Sequence, residues 1–488
     1  VEAVTPVSRS SLRAALPAIV IALAGAAWAS AAFSVADTLT LVVLTAPAFT
    51  ALVLHRPRTG LFLIMLGLPL APAFPAHIVS RSVNFALPGL VFGAWLLHGT
   101  RQRKDVALDP KPLLLWFGLF FAWTAFTSFF TEFPDRGLGQ AGRYAIMAMM
   151  LLAFTNLWRE SDYRKGLLLY GFALAPIAAF ALWQIYTIGV QQIMLDRLLS
   201  PKRLSSIYGN PNTLGVIMAN GLVILTAYGL SLASVKQTFR RGVLLGITGS
   251  IGVLLLAGLI VSFSRSSLVY FGVALFVLMA ALPRMRWVAA SGAAALGIFL
   301  IVFPIPVWVL SALRVGAGTS FRTSLWEAGV QMIQNQPLTG TGAGSGVFEY
   351  YRPAYIETAV DRILVHTTGG GAHNVFLTKG AELGWIGLLL TLGLFLLLLL
   401  RVPEGLREFR KGDWLRGAAA AGVVGLFIRA FFETGNTLGS GHIDDSMIFF
   451  LFAVILLGPV KPSPFLSRGE DDRRVLRSSR SCEATRSG

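Results

Sequence analysis

"RGVLLGITGSIGVLLLAGLIVSFSRSSLVYFGVALFVLMAALPR", residues 241–284, decides the architecture. It is charged at its two ends, Arg241 and Arg284, and between them only at Arg265, inside "FSRSS", 263–267. At a rise of ~1.5 Å per helical residue, Arg265 lies roughly 35 Å from one terminal arginine and roughly 28 Å from the other, each close to the ~30 Å of a bilayer's hydrocarbon. Such a stretch crosses a membrane twice as a tight hairpin, with Arg265 at its outer turn.

The rest of the chain repeats that pattern. Of 488 residues, 55% are hydrophobic and 13% charged, and the mean hydropathy is positive. So much apolar sequence exceeds what one soluble core can bury. Runs near spanning length fall at 14–33, 35–54, 59–75, 84–99, 112–131, 142–157, 166–189, 212–234, 243–263, 268–282, 287–310, 375–400, 415–432 and 446–460. Several are short, so the expectation is an all-α polytopic membrane protein with about 12–14 transmembrane helices. Residues 1–460 form the multispan membrane domain in this reading, and 461–488 a basic, disordered cytoplasmic tail.

The opening "SRSSLRAALPAIVIALAGAAWASA" has the arginines, apolar stretch and small-residue end of a signal peptide. Because further spans follow at once, it reads as an uncleaved first span. Val1 in place of Met fits a non-standard start or a trimmed end. The lone cysteine, Cys482, excludes an internal disulfide.

A formal charge of +17 would suggest nucleic acid in a soluble protein, but here its placement matters more. The majority of the 41 Lys and Arg, including Arg101, Arg103, Lys104, Arg240, Arg241, Arg284, Arg286, Arg401, Arg407, Arg410 and Lys411, fall in alternate inter-span segments. That face is expected to be cytoplasmic, with both termini on it and no nucleic-acid partner.

The opposite, outer face keeps the one long loop, about 311–374. Within it, "TSFRTSLWEAGVQMIQNQP" sets Phe321, Leu325, Trp326, Met332 and Ile333 near helical spacing, with a Ser324/Glu327 capping box and Pro337 as a stop. An amphipathic helix along the membrane surface is expected. "GTGAGSG", 340–346, lacks the preceding strand of a dinucleotide fingerprint. It reads as a flexible turn with Thr341 exposed, or as a backbone path on which Gly342 and Gly344 bring amides close to a ligand.

Six further residues on this face carry two readings each. Arg265 is a snorkelling turn arginine or is aimed into an outward-facing cavity. Lys202 and Arg203, in "PKRLSSIYGNPNTLG", are loop charges or part of an anion site; Pro211 there starts a helix. Arg322, near a helix N-terminus, is a surface charge or a bidentate phosphate donor. His373, in "GGGAHNVFLTKG", 369–380, has Asn374 beside it as a cap and no partner at metal-ligand spacing. It is a solvated interface side chain or a general base, with Glu349 and Glu382 next in line for that role. Arg429, in "GLFIRAFFETG", is intramembrane or paired with Glu433.

The succession "YGNPNTLG", "SFSRSSL", "FRTSLWEAGVQMIQNQPLTGTGAGSGVF" and "AHNVFLTKGAELGWIGLLL", over roughly 200–400, resembles the O-antigen ligase and polymerase family of bacterial membrane glycosyltransferases. The resemblance implies an inner-membrane enzyme that takes a glycan from an undecaprenyl-diphosphate carrier on the periplasmic side. Ligases of the family join it to the lipid A core, and polymerases to another carrier-linked glycan. Carried over, the functional arginines are Arg265 and Arg322, with Arg203 less closely matched, and the histidine is His373. Lys202, Asn374, Gly342 and Gly344 are expected to bind substrate. No metal or other cofactor is required in principle, because diphosphate is already a good leaving group. A small-solute transporter is the rival from another class; it would place charge near the midplane in related halves, and no clear repeat is visible.

Overall fold

The computed structural model of the chain describes residues 50–70, 86–102, 110–189, 206–208, 210–233, 238–292, 294, 320–344, 346–356, 371–435, 437–438 and 443–458. The expected first span at 14–33, most of 35–54 and 287–310, and the tail 461–488 lie outside them. Among the described residues the fold is all α, without strands. Four stretches are long and apolar enough to cross a membrane: Glu160–Ile188, Pro211–Ala233, Arg241–Val261 and Val375–Arg410. Shorter apolar helices run beside them.

In chain order the helices are α1 (Pro57–Leu70), α2 (Leu87–Gln102), α3 (Lys111–Ser128), α4 (Pro134–Leu157), α5 (Glu160–Ala173), α6 (Ala175–Ile188), α7 (Pro211–Ala233), α8 (Phe239–Val261), α9 (Arg265–Ala281), α10 (Ser320–Asn335), α11 (Val347–Tyr351), α12 (Val375–Leu399), α13 (Val402–Arg410), α14 (Trp414–Ala430) and α15 (Ile443–Leu457). Proline sets several of the starts, since its missing N–H costs nothing in a first turn. The apolar run 166–189, unbroken in sequence, is split into α5 and α6 just before Pro176.

Helix α7 is the axis of the bundle, buried from Leu214 to Leu225 and packed by α5, α8, α9 and α14. A helix apolar on every side belongs in an interior. Inside a bilayer its association comes from close packing and polar pairs. The Tyr270 hydroxyl donates to Asn220 Oδ1 at 2.7 Å, joining α9 to α7, a contact worth about 1 kcal/mol.

The two ends of the bundle differ in charge. At one end Arg164 bridges Asp413 at 2.8 Å, Arg58 pairs with Asp162, Arg410 Nε donates to the Ala281 carbonyl at 2.8 Å, and Tyr228 stacks edge-on with Trp414. These contacts gather the basic segments around 159–165, 284–286 and 401–416. The turn carrying Arg265 lies at the far end, as the 241–284 hairpin requires.

Two expectations need correction here. Helix α10 begins at Ser320, so Ser324 lies a turn inside it instead of capping it. Its apolar stripe, expected to meet lipid, is taken up by protein: Leu325, Ala328, Met332 and Ile333 are buried with Phe348, Ile356, Ala372 and Ala381. The helix therefore docks across the first turns of α12.

Helix α12 is broken at Gly384 (φ +68°, ψ −167°), a region essentially closed to residues with a Cβ. Residues 337–342 strap onto the break. Trp385 N donates to Pro337 O at 2.7 Å, Thr341 N to Ala381 O at 2.8 Å and Gly342 N to Glu382 O at 3.0 Å. Thr341 is buried by this strap, 2% exposed, contrary to the expectation of an exposed loop position.

Candidate active site

The approach to α12 shows how the sequence aims His373. At Gly371 a Cβ would sit 2.8 Å from Thr378 Oγ1 and 3.4 Å from Thr434 Cγ2, so only glycine brings the backbone this close. Ala372 N donates to Thr378 Oγ1 at 3.0 Å, and Ala372 O accepts from Trp326 Nε1 of α10 at 3.0 Å. With both backbone groups of Ala372 pinned, His373 takes a left-handed φ of +50°. That costs a non-glycine residue ~1–3 kcal/mol, a strain that persists only where the surroundings over-determine it. Asn374 follows as the N-cap of α12, its side chain accepting from Leu377 N at 3.1 Å.

This turn directs the imidazole to a carboxylate. His373 Nδ1 lies 2.9 Å from Glu433 Oε1, just beyond the end of α14. Glu433 Oε2 accepts from Asn212 Nδ2, on the first turn of α7, at 2.8 Å, and Thr434 N donates to Oε1 at 3.3 Å. Its side chain is 8% exposed and that of His373 21%. With the carboxylate behind Nδ1, the neutral ring carries its proton there and leaves Nε2 as the acceptor.

Burial alone would raise the Glu433 carboxyl. The hydrogen bond and charge of His373, with the charges of Arg429 and Arg322, outweigh it and hold the carboxyl down to about 2. Arg322, half-buried near the start of α10, thus acts electrostatically on the dyad. Arg429, 1% exposed at the end of α14, directs Nη1 to the Gly435 carbonyl at 2.6 Å, while the Glu433 carboxylate is turned to His373 and Asn212.

Arg265 is the first residue of α9 and half-buried. Its turn packs on α7: a Cβ on Gly215 would meet Ser264 Cβ at 2.6 Å and Ser262 Oγ at 2.8 Å. Gly215 is one turn from Asn212, so Arg265 shares this end of α7 with the dyad. Lys202 and Arg203 lie outside the described residues. Gly342 and Gly344 are buried with φ of +107° and +125°, and the close approach they permit is to Thr131 and Arg136 of the chain itself. Glu382 is committed to a buried ion pair with Lys379 at 2.6 Å, and Glu349 sits half-buried on α11.

Glu433 and Asn212 are the members that sequence reasoning missed. The visible signal was a carboxylate placed just past a span on the face poor in charge, and proximity in sequence assigned it to Arg429. The fold assigns it to a residue 60 positions away.

Among the described residues no group of three or more His, Cys, Asp or Glu is placed to hold a metal ion. No curated protein matches the chain. Residues 250–392 match the family model described as O-antigen ligase. That segment includes the Arg265 turn, α10 with Arg322, and His373. Over residues 250–392 the chain therefore carries a segment that matches an O-antigen ligase domain, which supports its placement with the O-antigen ligase and polymerase family.

Proposed function

We propose that the protein moves a glycan from undecaprenyl diphosphate to a hydroxyl of the lipid A core, acting as an O-antigen ligase at the periplasmic face of the bacterial inner membrane. The observation that carries this reading is the His373–Glu433 pair, Nδ1 to Oε1 at 2.9 Å, at the end of the bundle that also holds Arg265 and Arg322. The basic segments gathered at the opposite end support an orientation with that end cytoplasmic.

In the proposed reaction the acceptor hydroxyl gives its proton to His373 Nε2 as its oxygen attacks the anomeric carbon. The bond from that carbon to the phosphate oxygen breaks, and its electron pair leaves with undecaprenyl diphosphate. A single displacement inverts the anomeric centre. Glu433 holds the imidazole and stabilises the imidazolium that forms. Arg265 and Arg322 offset the charge growing on the departing diphosphate. Base and arginines contribute ~10²–10⁴-fold each, by analogy with other sites.

A surface-glycan profile of a deletion strain tests the reading. Loss of all long chains from the lipid core is expected. Retention of a single repeat unit on that core would contradict ligation and indicate a polymerase using the same donor chemistry.

A further inference from the structure

The segment "FEYYRPAY", 348–355, carries three of the chain's 10 tyrosines, and the His373 chemistry uses none of them. Tyr350 is 58% exposed, although its ring meets Phe133 at 4.8 Å and 82° and Tyr351 at 5.1 Å and 89°. Perpendicular neighbours of this kind form a corner. The Arg136 guanidinium lies 4.5 Å over Phe133, and Glu132, on the connection between α3 and α4, and Asp135, in the first turn of α4, are exposed.

Tyr351 hydrogen-bonds to Glu132. Burial first, and then the charge of Glu132, push the Tyr351 hydroxyl up to about 12, so it stays protonated in any physiological buffer. The corner is also tied to the site. Tyr351 and Tyr355 pack on the small core that contains Ala372, the residue before His373.

Aromatic rings at a bilayer surface commonly anchor a protein in the headgroups. Here carboxylates surround the corner, and they disfavour both hydrocarbon and anionic headgroups. A sugar ring suits the same surroundings. Its C–H face is weakly positive and complements the negative face of an aromatic ring, and its hydroxyls find acceptors in Glu132 and Asp135 and a donor in Arg136.

We propose that Tyr350, with Phe133, Tyr351, Glu132 and Arg136, forms a saccharide-binding platform that holds a sugar of the glycan beyond the one undergoing transfer. This rests on the glycan-transfer reading for its purpose, and on the aromatic and carboxylate geometry for its chemistry. Binding there anchors a long glycan without touching the reacting bond. It lowers KM for donors with several repeats and leaves single-repeat donors little changed.

The test uses the full-length protein in nanodiscs and, as probe, the oligosaccharide of two or three repeats released by mild acid from the host's own surface polysaccharide. Binding is measured by calorimetry and saturation-transfer NMR, and transfer with single- and multi-repeat donors. Tyr350→Ala is expected to weaken oligosaccharide binding about tenfold, equivalent to ~1.4 kcal/mol for one stacking contact. It should raise KM for multi-repeat donors selectively, and Tyr350→Trp should restore both. Unchanged oligosaccharide binding in the alanine variant would overturn the platform. So would an equal loss of kcat on both donors, or a change confined to binding of anionic vesicles. Wild-type protein that binds the oligosaccharide but transfers nothing would leave the platform standing and remove the transfer reading. Active transfer with a silent alanine variant would do the reverse.

Discussion

Glu433 accepts from Asn212 through one carboxylate oxygen at 2.8 Å while the other faces His373. The start of α7, the end of α14 and the start of α12 are therefore joined by one buried side chain. Removing its charge while keeping its shape separates orientation from chemistry. Glu433→Gln is expected to lower kcat about 10–100-fold, by analogy with other lost orienting partners of histidine, with KM for donor nearly unchanged because Glu433 is buried against Nδ1 and Asn212, away from the free Nε2. Loss of expression in parallel with activity would reduce Glu433 to a structural role.

The same carboxylate gives a pH dependence of stability. Its folded-state value is depressed from 4.5 to about 2, so its contribution is complete above the unfolded value and disappears as pH falls through the folded one. Between pH 4.5 and 2 the wild type is expected to lose thermal stability in detergent more steeply than Glu433→Gln. Parallel curves across that window would contradict the assignment.

The arginines are tested by a substitution that keeps charge. Lysine at Arg265 or at Arg322 lacks the planar, bidentate fork suited to the proposed diphosphate contact. Each variant should reach the membrane at normal levels and lose most transfer activity. Full activity in both would leave these arginines with a topological role only.

Orientation follows from a cysteine at an exposed position of the site end. Asp135, exposed at the start of α4, serves where buried Thr341 does not. In a Cys482→Ser background, Asp135→Cys should react with an impermeant maleimide added outside the inner membrane. Labelling only after permeabilisation would invert the topology.

The break in α12 makes a sharp structural prediction. An alanine Cβ at Gly384 would sit 2.2 Å from the Leu338 carbonyl oxygen, and that backbone conformation is closed to it. Gly384→Ala should cost at least about 1–3 kcal/mol and show as a large loss of folded protein in detergent. Gly93→Ala in α2, where nothing lies within 4 Å, is the control expected to be tolerated.

Much of this arrangement was legible in the sequence because it depends on local composition. Arg241, Arg265 and Arg284 fixed a hairpin by distance alone, and the alternate basic segments sorted the two ends. The glycine-to-Asn374 run announced a capped helix start at His373. What stayed hidden depends on contacts between distant segments. Nothing near Glu433 indicates that a loop 60 residues earlier folds back upon it. Gly384 sits in an apolar run that reads as continuous helix, and its break is visible only once Pro337, Leu338 and Thr341 are seen against it. The stripe of α10 looked lipid-facing because periodicity reports that a face is apolar and not what covers it.

The most direct test of the account is glycan transfer by purified His373→Ala in nanodiscs, measured together with binding of the undecaprenyl-diphosphate donor. Transfer is expected to be abolished while donor binding persists through the proposed arginine contacts to the diphosphate, and any residual activity is expected to lose its acidic limb in the pH–rate profile. Near-normal turnover in the alanine variant would contradict the central claim that His373, held by Glu433, is the base.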